Sequence, residues 1–251
     1  MMYLYSLASR LGAQQRFYAL QTPGLDGSAI PETIEALARH HLKLIQQQQA
    51  SGPYQLIGHC SGGRVAFEMA WQLEQQGETV SLLAILDVPA PGCKPLHLSE
   101  LESLEAYVHL YEQMMGNSLN LSAETLKALP DIETAYAVVA ETFLRHKLLF
   151  DPKAAVDELK AMVNVVRITV QAVANQQMPG KLRCPIHLFR ASEQSTDNEL
   201  NDTREAWGWK QCTHATVTEH WVPGDHLSMM LNPHVKTLAE KLSRYLSVQP
   251  V

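Results

Sequence analysis

The spacing of apolar positions changes along the chain, and each change marks an element. RFYAL (16–20) is a short apolar run closed by the Pro, Gly and Asp of TPGLDG (22–27), which predicts a strand ending in a turn. Ile34, Leu37, Ala38, His41, Leu42 and Ile45 then recur at i, i+3, i+4 steps, predicting a helix opened by Pro31, Glu32 and Thr33. The glutamines at 46–49 form its solvated end. YQLIGHC (54–60), after Ser-Gly-Pro, predicts a buried strand. GRVAFEMAWQLEQQG (63–77) is amphipathic and stops at Gly77, a favourable helix terminator. TVSLLAILD (79–87) is nearly continuous hydrophobe, as a strand covered on both faces requires. This alternation predicts an α/β fold, a mostly parallel sheet flanked by helices.

From Ser99 to about Gln176 the pattern is helical only. Ser99 and Glu102 form a capping box ahead of Leu101, Leu104, Tyr107, Val108, Tyr111 and Met115. Asp131 caps a stretch carrying Ile132, Ala135, Tyr136, Val139 and Phe143. Asp151 and Pro152 open a long helix through Val156, Leu159, Val163, Val166 and Val170. PIHLF (185–189) and HATVTEHWV (214–222) return to strand spacing, and 233–247 closes as a helix. An α/β core interrupted in this way is the layout of a hydrolase with a helical lid, although such helices also serve as plain structural packing.

Composition narrows the partners. The 251 residues fit one domain with an insertion, and a net charge of -6 without any Lys/Arg cluster argues against nucleic acid and anionic membrane surfaces. No apolar run approaches the ~20 residues that span a bilayer. MMYLYSLASRLG lacks the basic start and small-residue cleavage site of a signal peptide. Cys60, Cys93, Cys184 and Cys212 have no metal-site spacing and read as reduced thiols of a cytoplasmic protein.

IGHCSGG (57–63) sets two candidate nucleophiles side by side. A nucleophile elbow, Gly-x-Nuc-x-Gly, is a tight strand-to-helix turn in which bulk two residues before or after the nucleophile meets neighbouring backbone. Centred on Cys60 the flanks are Gly58 and Gly62; centred on Ser61 they are His59 and Gly63. The frame selects Cys60, which also stands where predicted strand gives way to predicted helix. The alternative is a buried structural cysteine in a coincidental frame. His59 reads as a packing or wall residue instead of a base. Ser61 contributes its backbone N–H, which at a helix start can donate to an oxyanion.

Elbows of this kind take their partners in the chain order nucleophile, acid, histidine. Asp87 ends the next strand, and Pro89 and Pro91 stop that strand at once; a turn-capping Asp is the alternative. Of eleven histidines, His226 stands in VPGDH (222–226), a turn just past the last predicted strand, whereas His214 and His220 fall within strand-like sequence. Asp225 adjoins His226, but neighbours on a turn usually point apart.

With these residues, YQLIGHCSGGRVAFEMAWQLEQQGETVSLLAILDVPAPG and VPGDHLSMMLNPHVKTLAEKL resemble the thioesterase domains that end nonribosomal peptide synthetases and polyketide synthases. FYALQTPGLDG and the helical insertion before PIHLFRA extend the resemblance over nearly the whole chain. It implies a single α/β-hydrolase domain with its core at 1–97 and 180–251 and a helical lid at 98–179. It implies a substrate carried as a thioester on the phosphopantetheine of an upstream acyl or peptidyl carrier protein, with no further cofactor and no metal. Nucleophile, acid and base fall on Cys60, Asp87 and His226.

The sequence departs from the family twice. The usual elbow nucleophile is Ser, and here it is Cys60. The family also begins with a strand and a His-Pro-x-Gly-Gly-like loop that supplies a second oxyanion donor, while this chain starts just downstream of it. Loss of one donor costs roughly 10²–10³ in rate, so that segment is expected to precede the sequence given. Sulfur at the elbow turns one thioester into another and keeps the acyl group activated, which suits release by cyclisation or condensation as well as by hydrolysis. A discrete editing thioesterase, a general esterase or lipase, and an inactive hydrolase fold acting as a binding module remain open.

Overall fold

The computed structural model describes residues 2–92, 97–193 and 204–246. The chain divides into two compact units, Met1–Gln21, Thr33–Lys94 and Val173–Val251 forming one, and Thr22–Glu32 and Pro95–Ala172 the other.

The first unit is built on a four-stranded parallel sheet in the order β1 (Tyr54–His59), β2 (Val80–Leu86), β3 (Ile186–Ala191), β4 (Val217–Val222). Parallel strands need covered faces. Accordingly Leu82, Leu83, Ala84, Ile85 and Leu86 of β2 are all buried, as their unbroken apolar run predicts. Helix α1 (Met2–Leu11) places Leu4, Leu7 and Leu11 in a core cluster with Val235, Leu238 and Leu242 of α8 (Val235–Leu242). The i, i+3, i+7 spacing of those three leucines was the available signal for α1, which the sequence reading did not assign. α2 (Ile34–Gln48) starts at Thr33, whose hydroxyl accepts from the Ala36 N–H at 3.1 Å. α3 (Ser61–Gln75) follows β1 without a loop and packs on α2.

Residues 16–20 are not a strand. An extended segment needs a neighbouring ladder for its peptide groups, and among the described residues β1 pairs with β2 alone. Tyr18 accordingly lies exposed.

The second unit is helical: α4 (Glu100–Met115), α5 (Ala123–Lys127), α6 (Ile132–Arg145) and most of α7 (Ala155–Asn175). Leu104, Val108, Val139, Phe143, Leu159 and Val163 share its core. The capping box forms as its residues predict, with the Ser99 N–H donating to Glu102 at 2.7 Å and the Glu102 N–H to the Ser99 hydroxyl at 3.2 Å. The Asp131 cap also forms, accepting from the Thr134 N–H at 2.7 Å. The insertion is expected over 98–179; the helical unit comprises Thr22–Glu32 and Pro95–Ala172. Residues 22–32 join the helical unit because their turn packs on α7: a Cβ at Gly24 would lie 3.0 Å from Val165. Residues from Val173 onward belong with the sheet because Arg64 holds the Val173 carbonyl at 3.1 Å and the Gln176 side chain at 2.6 Å. Pro152 is not the first helical residue either; Asp151 instead accepts from the Lys153 N–H in a turn, and α7 begins at Ala155.

Candidate active site

β1 runs into α3 through one residue. Cys60 has φ 55 and ψ -132, a left-handed backbone for a side chain that ordinarily avoids it. Such strain costs on the order of 1–3 kcal/mol and persists where its surroundings over-determine it. Two bonds do so here: the Cys60 N–H donates to the Leu86 carbonyl at 3.0 Å, and the Gly63 N–H to the Cys60 carbonyl at 2.9 Å. The glycines divide differently from the expectation. A Cβ at Gly58 would collide with the backbone of Gly62, so Gly58 is required. At Gly62 the same atom meets nothing within 4 Å, and the crowded position is Gly63, where it would lie 2.7 Å from Val88. The Gly-x-Cys-x-Gly frame picked the residue at the bend, but a neighbouring glycine does the packing attributed to Gly62.

β2 delivers Asp87, also left-handed at φ 53 and 4% exposed. Its two oxygens are divided between two partners: Oδ1 accepts from the Ala191 N–H at 2.8 Å, and Oδ2 lies 2.9 Å from Nδ1 of His226. Residues 88–91 behind it are each held by a side chain. Trp209 Nε1 donates to the Val88 carbonyl at 2.8 Å, and Arg64 to that of Pro89 at 3.1 Å. Arg204 donates to the carbonyls of Ala90 and Pro91 at 3.1 Å each. Sequence reading singled out none of these three clamps. They lie from 23 positions before Asp87 to 122 after it, and no local spacing pairs them with it.

His226 sits on the turn after β4. Asp225 folds that turn, its Oδ1 accepting from the N–H groups of Leu227 and Ser228 at 2.9 and 2.8 Å. The Cys60 thiol is near enough to His226 for each group to shift the pKa of the other. Cys60, Asp87 and His226 therefore converge in a chain of contacts, and the Ser61 N–H lies against the sulfur. His59 lies under His226, its ring stacked on the imidazole.

The electrostatics favour charge separation. Burial pulls the His226 pKa down, but the Asp87 hydrogen bond and the Cys60 contact overcome it and raise the pKa to about 10. Desolvation pushes the Cys60 thiol up; the His226 hydrogen bond and charge, with the Ser61 N–H, outweigh it and bring the pKa below its ordinary value. Both shifts favour the imidazolium–thiolate form of the pair over the neutral one, on a residue that solvent reaches. Cys184 and Cys212 are the opposite case: burial raises them to about 12 and 11. Cys93 lies outside the described residues. Among the described residues, no group of three or more His, Cys, Asp or Glu could hold a metal ion, and no helix is long and apolar enough to cross a membrane.

A family profile described as "Thioesterase domain" matches residues 2–246. Chondramide synthase cmdD of Chondromyces crocatus is 34% identical over 253 residues, which cover 96% of this chain and 6% of that protein. The probable non-canonical nonribosomal peptide synthetase CymA of Salinispora arenicola is 25% identical over 91% of this chain and 3% of its own length. A solved four-domain nonribosomal peptide synthetase, bound to AMP and glycine, superposes with a TM-score of 0.85 at 25% identity, over 97% of this chain and 18% of that one. The RedJ thioesterase of the prodiginine pathway in Streptomyces coelicolor superposes with a TM-score of 0.65 over 98% of this chain and 81% of its own, at 18% identity, a likeness of fold alone. The chain spans only a small fraction of the synthetases it matches.

Proposed function

The chain belongs to the thioesterase-domain family, and from that premise we propose that it releases an acyl or peptidyl chain from a carrier-protein phosphopantetheine thioester through a Cys60 acyl-enzyme. The observation that carries this reading is the contact chain from Cys60 through His226 to the Asp87 carboxylate, 2.9 Å from the imidazole. Its context is multidomain synthetases among the relatives, which supports an upstream carrier domain as partner.

The chemistry balances on these groups. The Cys60 thiolate attacks the thioester carbonyl, and the oxyanion forms beside the Ser61 N–H, which then donates to oxygen. As the intermediate collapses, the carbon–sulfur bond to pantetheine breaks and His226 gives its proton to the departing thiolate. The neutral imidazole next takes a proton from water, or from a hydroxyl or amine of the chain itself. That oxygen or nitrogen attacks the acyl-Cys60 thioester, and the Cys60 thiolate leaves, restoring the pair. Asp87 keeps Nδ1 of His226 protonated so that the other ring nitrogen faces sulfur.

The first acyl transfer runs from one thioester to another, and only the second converts the thioester to acid, ester or amide. Cys60 therefore passes the acyl group to a weak or internal nucleophile with its activation intact, which favours cyclisation or condensation beside hydrolysis. Intact-protein mass spectrometry with a pantetheine thioester, followed by product analysis, tests the reading. An acyl adduct on Cys60 that vanishes in Cys60→Ala is the expected result. Acylation of Ser61, or release undiminished in Cys60→Ala, overturns it.

A further inference from the structure

His226 touches a third side chain besides Asp87 and Cys60. The ring of His59, the last residue of β1, is stacked on it with centres 4.7 Å apart and planes inclined by 30°. Nε2 of His59 stands 2.8 Å from the backbone oxygen of His226. A carbonyl oxygen only accepts, so Nε2 carries the hydrogen and His59 is the donor. His59 is 8% exposed, and burial, aided by the neighbouring His226 charge, drives its pKa down to about 4. At neutral pH an uncharged imidazole is held against a charged one.

The two contacts act on different parts of the site. The hydrogen bond ties the turn bearing His226 to the strand end bearing Cys60, residues 167 positions apart in the chain at this bond. Because His59 and Cys60 share a peptide bond, whatever holds His59 also sets where the sulfur lies relative to the imidazole. The stacked ring covers one face of His226 and offers a neutral π surface to its cationic form. A stabilised imidazolium keeps the neighbouring thiol ionised. Among the described residues the titratable groups that interact with His226 include Asp87, Cys60, His59 and the neighbouring Asp225.

We infer that His59 is a positioning residue, one that holds His226 in place by its ring and its hydrogen bond and so sets the reactivity of Cys60. The inference rests on the reading of Cys60 as nucleophile. It gives the first "x" of the elbow, a position taken in the sequence for a wall residue, a part in the chemistry of its neighbour.

Two substitutions separate the contacts. His59→Phe keeps a ring over His226 and removes the donor; His59→Gln keeps a donor and removes the ring. Turnover of a pantetheine thioester and the pH profile of Cys60 alkylation by iodoacetamide are measured on each. Both variants are expected to lose about ten-fold in kcat with KM nearly constant. The alkylation midpoint of His59→Gln is expected about half a pH unit higher. Wild-type midpoints and wild-type kcat in both variants overturn the inference, whatever happens to Tm. Should the variants not fold, nitrogen-15 histidine spectra of the unaltered protein decide: His59 is expected as the Nε2–H tautomer, uncharged between about pH 5 and 9. A His59 that titrates in that range, or carries its hydrogen on Nδ1, overturns it. Failure of the nucleophile reading looks different, since Cys60 alkylation in the unaltered protein is then indifferent to His226→Ala.

Discussion

Among the described residues the sheet unit holds two pairs of stacked imidazoles, and of their four rings His226 alone has a raised pKa. At the elbow, His59 and His226 stack at 4.7 Å; across β3 and β4, His187 and His220 stack at 5.5 Å, with ring nitrogens 3.2 Å apart. Burial lowers the pKa of a member of each pair, yet His226 ends at about 10 and His220 at about 4. The difference lies in the neighbours. His226 faces the Asp87 carboxylate and the Cys60 sulfur. His220 faces His187, Lys241 and Arg244, all of which oppose its protonation. Tyr245 and Phe189 fill the rest of its surroundings with rings, 5.3 and 4.5 Å away. A stacked histidine pair therefore does not by itself set the charge of its rings; an anion placed against one ring favours its protonated form.

Removing that anion is expected to have the largest effect. In Asp87→Asn the amide oxygen can still accept from the Ala191 N–H, so the loop keeps its anchor. The imidazole loses its charge partner, its pKa falls, and the proton returns to sulfur. Turnover is expected to drop roughly 10³–10⁴-fold, as when a triad acid is neutralised elsewhere. Cys60 alkylation at neutral pH should slow in parallel and recover at higher pH. Unchanged alkylation would mean that the Asp87 charge is not what separates the two pairs.

A middle-sized effect concerns stability in acid. His220 and His41 titrate at about 4 in the folded protein and near 6.5 when unfolded. The unfolded chain thus takes up protons first, and stability is lost as pH falls from about 6.5 toward 4. The loss should be on the order of 2 kcal/mol for His41, which is 3% exposed, and less for the half-buried His220. His226 has the reverse sign: its contribution is whole below 6.5 and disappears as pH rises through about 10. Urea melts between neutral pH and pH 4.5 should steepen for the unaltered protein and flatten in His41→Gln.

The convergence of Cys60, Asp87 and His226 was more legible in the sequence than the electrostatics that result from it. Strand β2, helix α3, the Ser99 capping box and the turn at His226 follow from spacing, because each rests on contacts among residues near in sequence. The bend at Cys60 and the strand end at Asp87 follow likewise. What spacing did not predict is long-range: the Arg64, Trp209 and Arg204 clamps on the loop after Asp87, the crowding at Gly63, and the His59 ring under His226. RFYAL failed for the same reason, since a strand pattern specifies an extended chain but not the neighbour that must pair with it. His187 and His220 carry no local mark that distinguishes them from His59 and His226; only the folded surroundings do.

The smallest expected effect tests whether charge alone divides the pairs. Lys241, near the end of α8, is one of the cations that hold His220 down. Lys241→Glu replaces a repulsive charge with an attractive one and leaves the elbow untouched. His220 should titrate higher by several tenths of a pH unit, followed by histidine NMR at low salt. The shift should stay far short of the His226 value, because a partly solvated carboxylate is screened, whereas Asp87 is buried and hydrogen-bonded to the ring it charges. Raising the salt to about 0.5 M should erase most of the shift, since screening then acts within a few ångströms. A His220 that rose into the neutral range would mean that any nearby anion suffices, and that the burial of Asp87 adds little. A His220 that did not move would assign its low value to burial alone and leave Lys241 without influence on it.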